Sequence, residues 1–289
     1  MLVSALICFL FTKGFLDKAL RLSELIFYSL VFLLVYGICV FGQKIPTFSS
    51  DFSLIVILPA TFVVILITIL YGQKEAVYFS FILFFAIYQG TAYSPVPAIF
   101  ELCSCLAAVR VVRKMVRRFD MVVAAIVVAI LNVVFLVTIR ILINGNSEGF
   151  IFDLFGVAFN GFLSCILALG FLTPLESLLN TASFFRLMDL SDLNTPIMKK
   201  LLITAPGTYN HSMMVASLAE SACSDIGANP LLARVGAYYH DLGKIDQPEY
   251  FVENQTGTNK HDDINPSLSV SVIRRKKKKG VEKAHQLHL

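Results

Sequence analysis

The chain has 289 residues, 56% of them hydrophobic and 15% charged, with a mean hydropathy of +0.73 and a formal net charge of +4. This composition excludes a disordered chain and argues against a water-soluble enzyme, because an apolar excess of this size outruns the polar surface needed to cover it. The excess is uneven: residues 1–175 are nearly all apolar runs and residues 186–289 hold most of the remaining charge, so a membrane half precedes a soluble half.

Seven apolar runs stand in the first half, at 1–12, 22–42, 53–71, 75–90, 94–112, 120–143 and 151–172. A bilayer core takes about 20 residues of helix, so the runs at 22–42, 53–71, 120–143 and 151–172 read as clear spans, too long for buried strands. Residues 1–12 (MLVSALICFLFT) are short and begin at the initiator Met. Without a basic start or a small-residue cleavage site, they read as a truncated or tilted first span rather than a signal peptide. The runs at 75–90 and 94–112 are parted only by Gln89-Gly90-Thr91 and Pro95, and form two spans or a re-entrant hairpin. Either way the chain returns to the side it left. Five of the six cysteines, Cys8, Cys39, Cys103, Cys105 and Cys165, lie inside these runs, and no CxxC pair occurs. They read as small buried apolar residues, not as a disulfide framework or a zinc ribbon.

Lys and Arg in the short loops set the orientation. Starting the first span outside puts Lys13, Lys18, Arg21, Lys74 and the cluster Arg110, Arg113, Lys114, Arg117 and Arg118 inside. Only Lys44 is then left in the outer loops, with Arg140 near an outer helix end. The polar half from residue 176 onward is accordingly cytoplasmic. Within the spans the polar candidates are Glu101, Asn132, Arg140 and Asp153. Arg140 and Asp153 lie near span ends and can snorkel, and a transporter calls for more midplane charge than a lone Glu101.

Residues 176–203 read as a helical connector broken at Asn194-Thr195-Pro196. Ala205-Pro206-Gly207 then opens a helix whose apolar positions Met214, Val215, Leu218, Ala219 and Ala222 recur at three and four until Gly227, with His211 in its first turns. The next helix is punctuated by Asn229 as N-cap, Pro230 at its first position and Gly243 as the expected C-cap. It carries Tyr238-Tyr239-His240-Asp241-Leu242-Gly243-Lys244, with His240 and Asp241 in its last turn. Adjacent residues on a helix diverge by about 100°, but at a terminus the helix can bend and turn both toward one ion. An imidazole and a carboxylate joined by a distant His make a mixed N/O ligand set suited to iron, manganese or zinc. A bridging carboxylate can hold two ions about 3.5 to 4 Å apart for in-line attack on a phosphodiester. A single His is more often a hydrogen-bonded helix residue than a ligand; the specificity lies in the combination, since the chain has only five His.

Together, APGTYNHSMMVASLAE and NPLLARVGAYYHDLGKIDQPEYFVENQ resemble the cytoplasmic HD-superfamily domain of the seven-transmembrane HD receptor family, and the apolar runs resemble that family's membrane module. The resemblance covers essentially the whole chain. It implies an all-α fold: a polytopic helical membrane module at 1–175, its first span truncated, a helical connector at 176–203 and a partial all-helical HD domain at 204–289. It further implies a multi-pass protein of the cytoplasmic (inner) membrane whose HD domain is a metal-dependent phosphodiesterase. That family hydrolyses cyclic di-AMP to pApA with two divalent ions, manganese or iron. By matching position, His211, His240 and Asp241 are metal ligands, with Asp241 bridging and catalytic. Lys244 then stands beside the phosphates, where a cation stabilises developing charge. A cyclic dinucleotide and membrane lipid are the expected partners and a homodimer is left open. Nucleic acid is not expected, because no aromatic interleaving accompanies the basic run.

Three departures from the family pattern bear on activity. The family carries a large extracellular domain and a further span ahead of the seven, whereas this chain starts inside the first of them. After Asn265-Pro266-Ser267-Leu268-Ser269 the pattern expects a metal-binding His, where this chain reads Arg274-Arg275-Lys276-Lys277-Lys278-Lys279 with Lys276 in the aligned place. The chain also stops at Leu289, ahead of a later His and a distal Asp of the family centre. An ammonium near two divalent ions repels rather than coordinates, so the second ion is expected to be badly held and turnover low. His261 reads as a surface-loop residue rather than a substitute ligand, and His285 and His288 as exposed. The Lys run has three readings: a solvated helix face, a patch drawn to anionic lipid by about 1 kcal/mol per residue, or a damaged stretch of coding sequence. The rival to an enzyme is a non-catalytic, membrane-tethered receptor or enzyme remnant that binds a nucleotide or partner through the surviving half-site.

Overall fold

The computed structural model describes residues 22–113, 115, 117–143 and 149–286, and all its regular structure is helical. The first apolar run, Lys13, Lys18, Arg21, Lys114 and His288 lie outside the described residues. The chain forms two compact units, Met1–Phe185 and Arg186–Leu289, each described by itself.

In the first unit, α1 spans Leu22–Gly42, α2 Asp51–Ile55, α3 Ala60–Tyr71, α4 Gln73–Gly90, α5 Pro95–Val112, α6 Arg118–Leu142 and α7 Phe150–Leu179. Among the described residues, five stretches are long and apolar enough to cross a membrane: α1, Asp51–Tyr71 taken together, α5, α6 and α7. The turn at Gln89-Gly90-Thr91 and Pro95 separates α4 from α5 as two helices. Valines, leucines and isoleucines of α1 and α3–α7 make up the buried interior, among them Val35, Val63, Ile67, Leu83, Val109, Val128 and Leu172. Small residues bring α6 and α7 together: a Cβ on Gly161 would lie 2.7 Å from Asn132 Nδ2 and 3.3 Å from the Ala129 backbone, so a larger residue would force a shift there.

Two features of this unit differ from the sequence expectation. The run at 53–71 reads as one span, but Pro59 has no N–H to give and the helix is broken between α2 and α3. The freed carbonyls are not left bare. Asn160 Nδ2 on α7 donates toward Ile55 O (3.4 Å), Val56 O (2.8 Å) and Leu58 O (3.0 Å). Arg140 and Asp153, expected to snorkel separately, instead meet at 3.2 Å in a buried pair, with the guanidinium over the rings of Phe52 and Phe150.

The second unit begins within α8 (Phe184–Leu190) and continues through α9 (Pro196–Thr204), α10 (Pro206–Asp225) and α11 (Pro230–Tyr239) to α12 (Pro266–Gln286). Thr195-Pro196 starts α9, as the proline implies, and Gly227, at φ +69°, follows the end of α10. Asn229 Oδ1 accepts from Leu232 N at 3.1 Å, the cap read from the sequence. Met198, Leu201, Ala205, Leu242 and Ile245 form one small core, and Leu187, Leu231 and Val235 another. The face that α10 buries is Thr208, Ser212 and Ala216, while Met214 and Leu218 of the expected apolar stripe are 65% and 73% exposed.

Candidate metal centre

The end of α11 shapes the site. The helix stops at Tyr239, His240 is its C-cap and Asp241 lies beyond it, leading into a 3₁₀ turn at Leu242–Asp246. The sequence reading put His240 and Asp241 in the last helical turn and Gly243 at the C-cap. Gly243 has another task. A Cβ there would fall 1.9 Å from Lys276 O and 2.9 Å from Gly280 N, so its missing side chain lets α12 lie directly on the 3₁₀ turn. That contact delivers Lys276 to the site.

His211 from α10, His240 and Asp241 converge, each offering one ligand atom, with all three atoms within 4.8 Å of one another. Both imidazoles are exposed and the carboxylate is 3% exposed. His240 Nδ1 lies 2.7 Å from Ala237 O, and because a carbonyl only accepts, Nδ1 donates there, which leaves Nε2 as the ring nitrogen available to a ligand. That Nε2 stands 3.4 Å from Asp241 Oδ2 and is the atom a metal would take. The two His rings lie 5.6 Å apart between centroids.

Two ammonium groups hold Asp241. Lys244 Nζ is 2.7 Å from Oδ2 and Lys276 Nζ 2.7 Å from Oδ1, so each carboxylate oxygen has its own cation. Burial acts to raise the Asp241 pKa, but the hydrogen bonds from Lys244 and Lys276 outweigh it and hold the carboxyl below its ordinary range. For Lys244 burial acts the other way, and Asp241 and Glu253 together keep its ammonium above the usual value. Lys244, expected beside phosphates, has its charge committed to Asp241 and Glu253 and is 8% exposed. Phe251 lies between the two lysines, its centroid 5.0 Å from Lys244 Nζ and 5.9 Å from Lys276 Nζ.

The sequence reading missed a supporting layer. Thr208 Oγ1 donates to Glu253 Oε1 at 2.9 Å and accepts from Asn254 Nδ2 at 2.8 Å, while Thr208 N donates to Asn254 Oδ1 at 3.0 Å. Gly207 makes this possible, since a Cβ there would meet Glu253 O at 1.7 Å. The signal lay in Gly207-Thr208 and Glu253-Asn254, near the start of the first motif and the end of the second. His261 is engaged elsewhere: its Nε2 is 3.0 Å from Tyr250 O and its Nδ1 2.6 Å from Ser269 Oγ. His285 is exposed at the end of α12.

An N/O set of two imidazoles and one carboxylate suits a divalent ion. The residues fit one ion, provided that Lys276 yields Asp241 Oδ1. Lys276 Nζ stands at Asp241 Oδ1, the oxygen that a second ion sharing the carboxylate would need. Beside His240 and Lys276 a cavity of ≈ 460 Å³ opens, lined also by Tyr239, Ile273 and Lys277.

Residues 1–183 match the family model described as a 7TM receptor with intracellular HD hydrolase, and residues 208–289 match that of the HD domain. The chain is similar to cyclic-di-AMP phosphodiesterase PgpH of Listeria monocytogenes serotype 1/2a (strain 10403S), at 35% identity over 99% of the chain and 40% of that protein. It is also similar to the protein of the same name from Bacillus subtilis (strain 168), at 38% identity over 72% of the chain and 31% of that protein. The chain thus spans well under half the length of both relatives. A crystal structure of the L. monocytogenes PgpH HD domain in complex with cyclic-di-AMP shares 52% identity over 34% of this chain and 46% of that one, with a TM-score of 0.33.

Proposed function

The chain belongs to the family of seven-transmembrane receptors with an intracellular HD hydrolase, and from that premise we propose that it is a metal-dependent phosphodiesterase of cyclic di-AMP, hobbled by its own Lys276. It is a multi-pass membrane protein, and the basic loops support an HD unit on the cytoplasmic side. The observation that carries the reading is the convergence of His211, His240 and Asp241 within 4.8 Å, in a domain whose relatives are named for this activity.

Manganese or iron bound there supplies Lewis acidity toward a phosphoryl oxygen. The chain's own residues do the rest. Ala237 O leaves His240 Nε2 available to a ligand, and Lys244 keeps Asp241 ionised and fixed against Glu253. Lys277, on the wall of the cavity beside His240, supplies positive charge for an anionic dinucleotide. Hydrolysis of one of the two phosphodiester bonds consumes one water and gives pApA. Lys276 works against turnover: where the family resemblance places an imidazole, this chain puts an ammonium on the carboxylate meant to bridge two ions.

The test is incubation of the purified full chain with Mn²⁺ and cyclic di-AMP, measuring binding calorimetrically and pApA by chromatography. Binding with little or no pApA is expected. Rapid pApA production overturns the role given to Lys276. Absence of both binding and hydrolysis overturns the substrate class.

A further inference from the structure

Glu101 of α5 lies inside the membrane unit and is independent of the phosphodiesterase reading. It is 2% exposed, and its Oε2 has no hydrogen-bond partner. A carboxylate isolated in an apolar interior is costly, so the group needs a bound positive charge or a proton. Among the described residues no charged side chain faces it. The groups around it are the Thr61 hydroxyl of α3 and the thiols of Cys39 on α1 and of Cys105, one turn along α5.

Thr61 belongs to a hydrogen-bond chain whose direction is fixed at its far end. Asn132 of α6 gives Nδ2 to Val157 O of α7 at 3.4 Å, which turns its Oδ1 to Ser104 Oγ at 2.7 Å. An amide oxygen only accepts, so Ser104 spends its single proton on it. In the Thr61–Ser104 contact of 2.8 Å the donor is therefore Thr61. With its own proton spent, Thr61 Oγ1 can only accept from the carboxyl that faces it. Glu101 fills that role when it carries a proton.

We propose that Glu101 is a proton-binding site of the membrane unit, a neutral acid heading a chain of donors from Glu101 through Thr61, Ser104 and Asn132 to the Val157 carbonyl. Thr61 and Val157, the ends of its hydrogen-bonded part, lie near the break between α2 and α3. Thr61 follows closely on Pro59, and Asn160, which clamps the carbonyls of the break, lies about one turn along α7 from Val157. The proton on Glu101 thereby bears on an unwound stretch of a spanning helix, the kind of place where membrane proteins couple ion occupancy to helix movement.

The test is infrared difference spectroscopy of the full chain in lipid nanodiscs, wild type against Glu101→Gln, in H₂O and in D₂O. A carbonyl-stretch band of a protonated carboxylic acid is expected, downshifted in D₂O and absent from Glu101→Gln. Thr61→Val removes the acceptor but keeps the acid, and should move the band to higher frequency without abolishing it. Glu101→Gln, isosteric with the neutral acid and able to donate to Thr61, should melt within about 2 °C of wild type. A carboxylate band in place of the acid band, or one that changes when sodium is replaced by potassium or choline, overturns the proposal in favour of an inorganic cation. A Glu101→Gln protein that fails to fold where Glu101→Asp folds overturns it as well.

Discussion

Replacing Lys276 with Met should tighten the binding of a divalent ion to the HD unit. Lys276 Nζ lies 2.7 Å from Asp241 Oδ1, and Asp241 shares its ligand cluster with His211 and His240. An ion held by that cluster therefore stands roughly 4 Å from the ammonium, where unit charges repel by about 1 kcal/mol in water and about 4 kcal/mol at an effective dielectric constant of 20. A divalent ion doubles this to about 2 and about 8 kcal/mol. The Lys276 side chain is 31% exposed and can swing toward water, which puts the penalty at the lower limit, about 2 kcal/mol. That is about 30-fold in dissociation constant. Met retains an apolar stem near Phe251 and removes only the charge, while Lys276→Arg keeps the charge and should bind within about threefold of wild type. Manganese titration of the purified full chain, with free ion read by electron paramagnetic resonance, measures the effect. If Lys276→Met binds Mn²⁺ no more tightly than wild type, the ammonium is not competing for the site and the reasoning fails.

Further substitutions probe the supports of the two units. Gly243→Ala places a Cβ 1.9 Å from Lys276 O, so α12 must lift off the 3₁₀ turn. We expect a loss of about 1–3 kcal/mol, read by denaturant unfolding of the HD unit's signal in the full chain. Asn160→Ala strips the carbonyls of Ile55, Val56 and Leu58 of their donor within the membrane unit. Each group left bare costs about 1–3 kcal/mol, so the melting temperature in detergent should fall by several degrees. His261→Ala should leave the metal affinity unchanged, since both ring nitrogens are already engaged with Tyr250 and Ser269.

The architecture was legible because its signals are local and redundant. Apolar runs of bilayer length and an Asn229-Pro230 helix start follow from sequence without reference to neighbours, and the structure has both. That His211 meets His240 and Asp241 in space was legible because a possible ligand set is a statement about residue types, and the structure brings the three together. Contacts set by backbone approach were not. Gly243 carries a C-cap signature, yet its role is to admit α12, which no local pattern records. The break at Pro59 was visible as a proline, but its tolerance depends on Asn160, about a hundred residues away in sequence. Likewise the pairing of Arg140 with Asp153 depends on the packing of α6 against α7, where single-residue reasoning about span ends predicts snorkelling.

A centre proposed for His211, His240 and Asp241 should hold one ion, with Lys276 competing for the carboxylate. Elemental analysis of the purified full chain, loaded with Mn²⁺ and desalted, tests it most directly alongside His211→Ala and Lys276→His. We expect one ion per wild-type chain, a loss in His211→Ala and a gain toward two in Lys276→His. A wild-type chain that retains no metal, or one whose metal content is untouched by His211→Ala, would contradict it.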